Sequence, residues 1–269
     1  TVTADDGSLW RFDYWSDGGA RSHDIQVLPE QDNSVVAYYA TQYYFDVVSM
    51  RADYSAPATG YYDPGLPMQM QVSQYSYVDS DERYRYTGYT VENNPGMSGS
   101  ETWFSFNIDR RLVVELHWEL EYYFETTNHK DVGAGTPDGW YDAGTQIEYG
   151  VTQTVDIVTG SRLDNRGHEA NGAYHSGLTY SEPLTEPLVL NWLWEQQYQV
   201  TISVNADHTP LSGWYDEGTE LTLDTTTPPT TSVQTFEFLG WNGTGPDSVT
   251  TDVGESGPYT LVANSPIVE

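Results

Sequence analysis

The chain has 269 residues, of which 40 are acidic and 10 are basic, so its formal net charge at pH 7 is −30. Such a surface repels nucleic acid and anionic lipid, which excludes both as partners. The chain contains no cysteine, which excludes disulfides and thiolate metal sites. At molar salt the Debye length falls to about 3 Å and self-repulsion is screened, so the composition indicates adaptation to high salt. A surface coated with calcium ions is the alternative explanation.

A heptad rich in glycine and aromatic residues occurs three times. Residues 213–219 read GWYDEGT, residues 139–145 read GWYDAGT, and residues 60–66 read GYYDPGL. This regular spacing predicts tandem structural units of about 75 residues. The glycines tolerate positive φ and the aspartate can hydrogen-bond its own backbone, so the heptad predicts a tight turn above packed aromatic side chains.

Three stretches alternate apolar and polar side chains: residues 112–124, residues 188–200 and, more loosely, residues 35–45. Period-two alternation predicts half-buried β-strands. Turn formers fill the loops between these stretches and no stretch has a helical period, so we expect an all-β fold of stacked sandwich-like units. The three strands run through the unit boundaries without a flexible linker, which predicts a stiff rod.

An aromatic strand also recurs, as WRFDYW at 10–15, YRYTGY at 84–89 and FEFLGW at 236–241, while residues 161–165 (SRLDN) stand where a further copy is expected. These patterns predict four units: 1–42, 43–120, 121–196 and 197–269. The first is partial and the last lacks its closing strand, since residues 1–4 align with 221–224 and residues 266–269 align with 112–115. We expect both terminal units to be completed by β-pairing with material outside the chain.

Residues 35–45 (VVAYYATQYYF), together with GWYDAGT at 139–145 and FEFLGW at 236–241, resemble the tandem β-repeats of large archaeal cell-surface proteins. They are more distantly similar to the internalin-B-like repeats of bacterial wall proteins. The resemblance implies an extracellular array displayed at the cell surface, with no catalytic residues to carry over.

Motifs of enzyme or cofactor chemistry are not found. The six histidines show no metal-pair spacing, and His168-Glu169 lacks the second histidine of a zinc-protease motif because Gly172 stands in its place. We therefore expect no enzyme and no cofactor, with calcium as the one open possibility. Its candidate ligands are Asp79, Asp81 and Glu82, which lack the glycine and the terminal glutamate of an EF-hand loop and also fit a solvated acidic turn.

Two kinds of carbohydrate contact are also candidates. Asn242 opens the sequence Asn-Gly-Thr, which fits either a glycosylation site or a plain turn. Trp103, Trp140 and Trp214 lie near turns and are candidates for stacking on sugar rings, whereas period-two placement assigns most other aromatic residues to the core.

Two functions fit these features. The first is a structural element of a filament, sheath or S-layer-like assembly of a salt-adapted organism, whose partners are neighbouring subunits joined by β-strand pairing. The second is an adhesin or carbohydrate-binding array that uses the turn-borne aromatic residues. No apolar run approaches 18 residues, so no membrane insertion is expected in this segment.

Overall fold

The computed structural model describes residues 1–4, 7–27, 34–92, 94–202, 212–223, 242–244, 248 and 259–268. Within these ranges every regular secondary-structure element is a β-strand, which confirms the all-β prediction. The chain divides into two compact units, one of Thr1–Tyr122 with Tyr141–Ala143 and one of Tyr123–Trp140 with Gly144–Glu269. The division into four units stays a prediction, and the aromatic strand expected at 236–241 lies outside the described residues. No helix in the described ranges is long and apolar enough to cross a membrane.

The first unit is built from short strands and two long ones. Its strands are β1 (Val2–Thr3), β2 (Leu9–Trp15), β3 (Ala37–Val48), β4 (Tyr54–Ser55), β5 (Gly60–Tyr62), β6 (Pro67–Val72), β7 (Tyr75–Tyr77), β8 (Glu82–Val91), β9 (Trp103–Asn107) and the first part of β10 (Leu112–Thr127).

The second unit begins within β10 and contains the remaining strands. Its strands are β11 (Ala134–Gly135), β12 (Gly139–Asp142, which ends in the first unit), β13 (Gln146–Gly150), β14 (Thr154–Val158), β15 (Ser161–Ala170), β16 (Ala173–His175), β17 (Thr179–Pro183), β18 (Leu188–Thr201), β19 (Gly213–Asp216), β20 (Glu220–Leu223), β21 (Tyr259–Val262) and β22 (Ile267–Val268).

The long strands β3, β10 and β18 make equivalent antiparallel pairs. Each pairs with a bulged strand that precedes it in the sequence: β3 with β2, β10 with β8, and β18 with β15. Equivalent partners are Leu9–Gln42, Arg83–Glu121 and Arg162–Gln197. Each long strand also pairs with the strand of the glycine-aromatic heptad, namely β5, β12 or β19.

Parallel pairs join the end of each long strand to the start of a later strand. The opposed residues are Phe45–Leu112, Phe124–Leu188 and Val200–Ile267. All six side chains are buried. Ile267 therefore takes the place of Leu112, one residue later than the alignment of 266–269 with 112–115 predicts. Because side chains alternate between the faces of a strand, a shift by one residue changes which side chain enters the core.

The expected placement of the first residues is also wrong. Residues 1–4 were aligned with the strand at 221–224, which in the structure is β20 and pairs with β21. Instead β1 pairs with β2 as β7 pairs with β8 and as β14 pairs with β15, the equivalent partners being Thr3–Leu9, Tyr77–Arg83 and Asp156–Arg162. The four residues Thr-Val-Thr-Ala carry too little pattern to distinguish these two strands.

Smaller sheets supply the second layer over each core. In the first unit the sheet β4–β6–β9 packs its buried alternate side chains, such as Met68 and Phe106, against Phe45, Leu112 and Leu116. In the second unit the pair β20–β21 packs against the end of β18 and against β22. Each fully buried large apolar side chain contributes roughly 1.5–3 kcal/mol, so the inward positions of the alternating strands dominate the stability of both units.

Candidate functional site

The glycine-aromatic heptad forms the same turn at all three positions. Gly65, Gly144 and Gly218 have φ values of 85°, 88° and 82°, in the left-handed region that favours glycine. Their N–H groups donate to the carbonyl oxygens of Ile108, Leu184 and Ala263 at 2.8, 2.7 and 3.0 Å. The predicted tight turn is confirmed. Each turn is hydrogen-bonded to the residue that directly follows a later strand, namely β9, β17 or β21.

The aspartate of the turn is used differently from the prediction. Its carboxylate accepts hydrogen bonds from side chains of neighbouring strands, which no local pattern shows. These bonds run from Gln42 to Asp63 (2.9 Å), from Arg85 to Asp142 (2.8 Å) and from Gln197 to Asp216 (2.8 Å). The carboxylate thus ties the heptad strand to the sheet of the long strand.

Beside β10 the turn aspartate belongs to an ion-pair network that is buried at Glu121 and exposed at its outer end. Arg85 also contacts Glu119 at 2.8 Å and Glu121 at 2.7 Å, and Glu121 is only 6% exposed. Arg83 reaches the other oxygen of Glu121 at 2.7 Å. Asp142 and then Glu121 raise the pKa of Arg85 by hydrogen bonding to its guanidinium. The network consists of charge-assisted hydrogen bonds between guanidinium and carboxylate groups, and these bonds join neighbouring strands.

Beside β18 a similar network is built from a different sequence position. Arg166 contacts Asp164 at 2.9 Å, Glu195 at 2.8 Å and Asp216. Arg166 lies at the register shift of β15, whereas Arg85 lies opposite Glu119 before the shift in β8. Two different positions therefore deliver a guanidinium to an equivalent pair of carboxylates.

The calcium candidate forms the turn between β7 and β8. One carboxylate oxygen of Asp79 accepts hydrogen bonds from the backbone N–H groups of Asp81 and Glu82, both at 2.8 Å. Among the described residues, no group of three or more histidine, aspartate or glutamate side chains is placed to hold a metal ion. Binding of calcium at Asp79, Asp81 and Glu82 stays a prediction.

The three candidate tryptophans have different surroundings. Trp103 on β9 is 61% exposed. Trp140 is half-buried and its ring lies edge-to-face with Tyr123, with ring centroids 5.4 Å apart. Trp214 is half-buried, with the guanidinium of Arg162 4.4 Å from its ring centroid. Trp103 is therefore the most accessible of the three for stacking. The sequon residue Asn242 is exposed.

Several aromatic residues assigned to the core by their alternation lie at the surface. Trp10 is 47% exposed and Tyr39 is 51% exposed, although Tyr39 stands on the predicted inward face of β3. Tyr14 and Tyr38 stack across β2 and β3 with centroids 4.6 Å apart. Alternation identifies a face of a strand, but burial also requires a second layer over that face, which the pattern does not encode.

One pair of opposed histidines was missed because the two residues are seven positions apart in the sequence. His168 lies opposite His175 in the hairpin of β15 and β16. The hairpin turns at Asn171-Gly172, whose φ values are 48° and 82°. An Asn-Gly pair at a two-residue hairpin turn fixes the register of the flanking strands. Counting outward from this dipeptide places His168 opposite His175, a signal that was present in the sequence.

Comparison of the chain with protein-family models, with curated proteins and with solved structures found no match in any of the three.

Proposed function

We propose that the chain is a structural repeat element of an extracellular surface protein, filament, sheath or S-layer-like assembly of a salt-adapted organism. The observation that carries the proposal is the recurrence of one strand arrangement around β3, β10 and β18. In each case a bulged strand precedes the long strand, a heptad strand follows it, and a parallel partner pairs with its end. Equivalent strand pairings repeated at this spacing favour a building element over a single reactive centre.

The proposed mode of assembly is β-strand pairing at open sheet edges. In the described part of the chain, β14 is hydrogen-bonded on one side, to β15, and forms an end of its sheet. Ile157 and Val158 on this strand are 50% and 64% exposed. An exposed apolar edge is a template for pairing with another chain, and a lysine placed on it blocks such pairing.

Electron microscopy of the purified chain tests this proposal. At molar salt, where the charge of −30 is screened, we expect filaments or sheets, and we expect Val158→Lys to reduce them. Val189→Lys is the matched control. Val189 is 46% exposed, but it lies opposite Glu125 of β10 on one side, and on the other side its backbone is hydrogen-bonded to Asn171. Monomers at every salt concentration, or equal assembly of both variants, would contradict the proposed mode.

We also infer that successive units form a stiff rod. The support is the alternation of residues 112–124, which continues without a linker through the unit boundary predicted near residue 120 and which the single strand β10 contains. Small-angle scattering of the monomer should report an elongated particle. Leu116→Asp places an uncompensated charge at a site that is 4% exposed, and we expect it to shorten the rigid length. An unchanged scattering profile in this variant would show that β10 is not the coupling element.

The second candidate function is carbohydrate binding, and the exposure of Trp103 favours it. A ring that is 61% exposed on a rigid strand can stack on a sugar face. Glycan-array binding that is lost in Trp103→Ala and kept in Trp140→Ala would support this function. Binding lost in neither variant, or absent from the parent chain, would exclude stacking at Trp103.

A further inference from the structure

Two histidines form a stacked pair at the edge of a core in the second compact unit. The rings of His168 and His175 have centroids 5.2 Å apart and planes inclined by 14°. His168 is 3% exposed, whereas His175 is exposed. The pair therefore begins inside the core and ends at the surface, and it lines an open cavity of about 560 Å³.

The same place beside β10 is filled by apolar packing. There Tyr89 lies opposite Leu116, one residue after Gly88 at the bulge, and His168 lies opposite Trp192, one residue after Gly167. Tyr89 stacks on Phe104 with centroids 3.8 Å apart, and both rings are buried.

The equivalent strands β9 and β17 also differ in the polarity of their side chains at this place. Phe106 of β9 lies opposite Met68, and the equivalent residue of β17 is Glu182, which lies opposite Ile147. Two residues earlier, Tyr180 stands where β9 has Phe104. Apolar side chains therefore satisfy the fold at this place, while the later copy carries an imidazole, a phenol and a carboxylate, all of which line the cavity.

The hydrogen bonding of His168 fixes its tautomer. Its Nδ1 lies 3.0 Å from the carbonyl oxygen of Gly177, which can only accept, so the proton is on Nδ1. The lone pair is consequently on Nε2. Metal-binding histidines have this arrangement, with one ring nitrogen donating to a carbonyl and the other ligating.

We propose that His168 and His175 bind one divalent transition-metal ion of the imidazole-preferring group: Zn²⁺, Ni²⁺ or Cu²⁺. The lone pairs lie in the ring planes and the two rings are nearly parallel, so binding requires the exposed ring of His175 to turn about its side-chain bonds until its nitrogen faces the same point as Nε2 of His168. Imidazole nitrogen suits these ions, whereas carboxylate and carbonyl oxygen suit Ca²⁺ and Mg²⁺. Because no group of three such ligating side chains forms among the described residues, water fills the remaining coordination positions. The proposed site is independent of the structural role proposed for the chain.

Titration of the metal-free chain with Cu²⁺ and Ni²⁺ tests the site. The ring of Trp192 lies 4.8 Å from that of His168, so binding should quench its fluorescence. The titration contains excess Mg²⁺, which occupies the carboxylates of the 40 acidic residues, and molar salt, which screens their charge. We expect one ion per chain, nitrogen couplings in the electron paramagnetic resonance spectrum of Cu²⁺, and at least a tenfold loss of affinity in His175→Ala.

Two further variants make the result decisive. His168→Tyr restores the residue found at Tyr89, so it removes the ligand while keeping a side chain that the fold accepts, and it should also lose the ion. His117→Gln is the matched control, since His117 bonds Thr90 and lies away from the pair. Binding without nitrogen couplings, binding unchanged in His175→Ala and His168→Tyr, or no stoichiometric binding would each overturn the proposal.

Discussion

Gln42 donates a hydrogen bond from Nε2 to Oδ1 of Asp63 at 2.9 Å, and Gln197 repeats this bond to Asp216 at 2.8 Å. At the equivalent position of β10 stands Glu121, whose carboxylate cannot donate. There Arg85 bridges Glu121 and Asp142. The contact between the heptad strand and the sheet of the long strand is thus kept, while its chemistry changes from a hydrogen bond donated by a side-chain amide to an ion pair.

The first prediction concerns this ion pair. Glu121→Ala should lower the free energy of unfolding by about 3–5 kcal/mol, because it leaves the guanidinium of the buried Arg83 without its carboxylate. Urea denaturation monitored by circular dichroism measures the loss.

Two controls separate burial from charge. Glu119 also contacts Arg85, but its side chain is 56% exposed, so Glu119→Ala should cost less than about 1 kcal/mol. Glu121→Gln introduces the residue found at Gln42 and Gln197, and it should destabilise less than Glu121→Ala. Equal losses in Glu119→Ala and Glu121→Ala would contradict the assigned role of burial.

The second prediction concerns the bulge glycine of β15. Gly167 has a φ of 115°, and a Cβ built on it would lie 2.1 Å from the carbonyl oxygen of His175. Gly167→Ala must therefore move the hairpin backbone or strain its own, at a cost of at least about 1–3 kcal/mol. Gly218→Ala is the control, because Gly218 has a φ of 82° and open space around its Cβ position. A melting temperature that falls no more for Gly167→Ala than for the control would contradict the close approach.

The third prediction is a pH dependence from His168. Burial, and to a smaller extent the neighbouring His175, lowers its pKa from the ordinary value of 6.5. The unfolded chain then binds this proton more readily than the folded chain, so stability rises with pH in this window. The contribution of neutral His168 is complete above about pH 6.5 and is lost as the pH falls from there towards the lower folded pKa.

Melting curves of the metal-free chain at pH 7.5 and 5.5 check this sign. The fall in melting temperature should be larger for the parent chain than for His168→Tyr, since the carboxylates titrate in both and only the histidine differs. An equal fall in the two proteins would show that His168 gains its proton without cost to the fold.

The fourth prediction concerns salt. With 40 acidic and 10 basic residues, the folded chain repels itself more strongly than the expanded chain as screening weakens. The melting temperature should fall steadily between molar and millimolar sodium chloride. Potassium chloride at equal ionic strength is the control for a specific ion effect, and a melting temperature indifferent to salt would contradict halophilic adaptation.

Repetition and alternation by themselves determined the β-strand class, the long strands and the three turns. Phe45, Phe124 and Val200, on the long strands β3, β10 and β18, could be assigned to the core because burial on one face of a strand leaves a period-two pattern. Positive φ at Gly65, Gly144 and Gly218 was predictable because turn chemistry is local.

The alternation of apolar and polar side chains does not predict β15, because most of its residues are polar. Asp164, Asn165 and His168 are all buried there, although alternation scores them as solvent-facing residues. Their partners lie outside the alternation of the strand itself, as when Gln153, in the loop before β14, donates to Asp164 at 2.9 Å. Burial of a polar group is decided by its partners, and partners are set by register.

The partners of the turn carboxylates needed the tertiary structure for the same reason. Asp63, Asp142 and Asp216 are identical in the sequence, yet their partners are an amide, a guanidinium, and both together. Composition and period determined which segments form strands, because those signals act within a few residues. The contents of each site were decided only when pairing brought separate strands within hydrogen-bond distance, since the energies of such contacts depend on positions that no local pattern specifies.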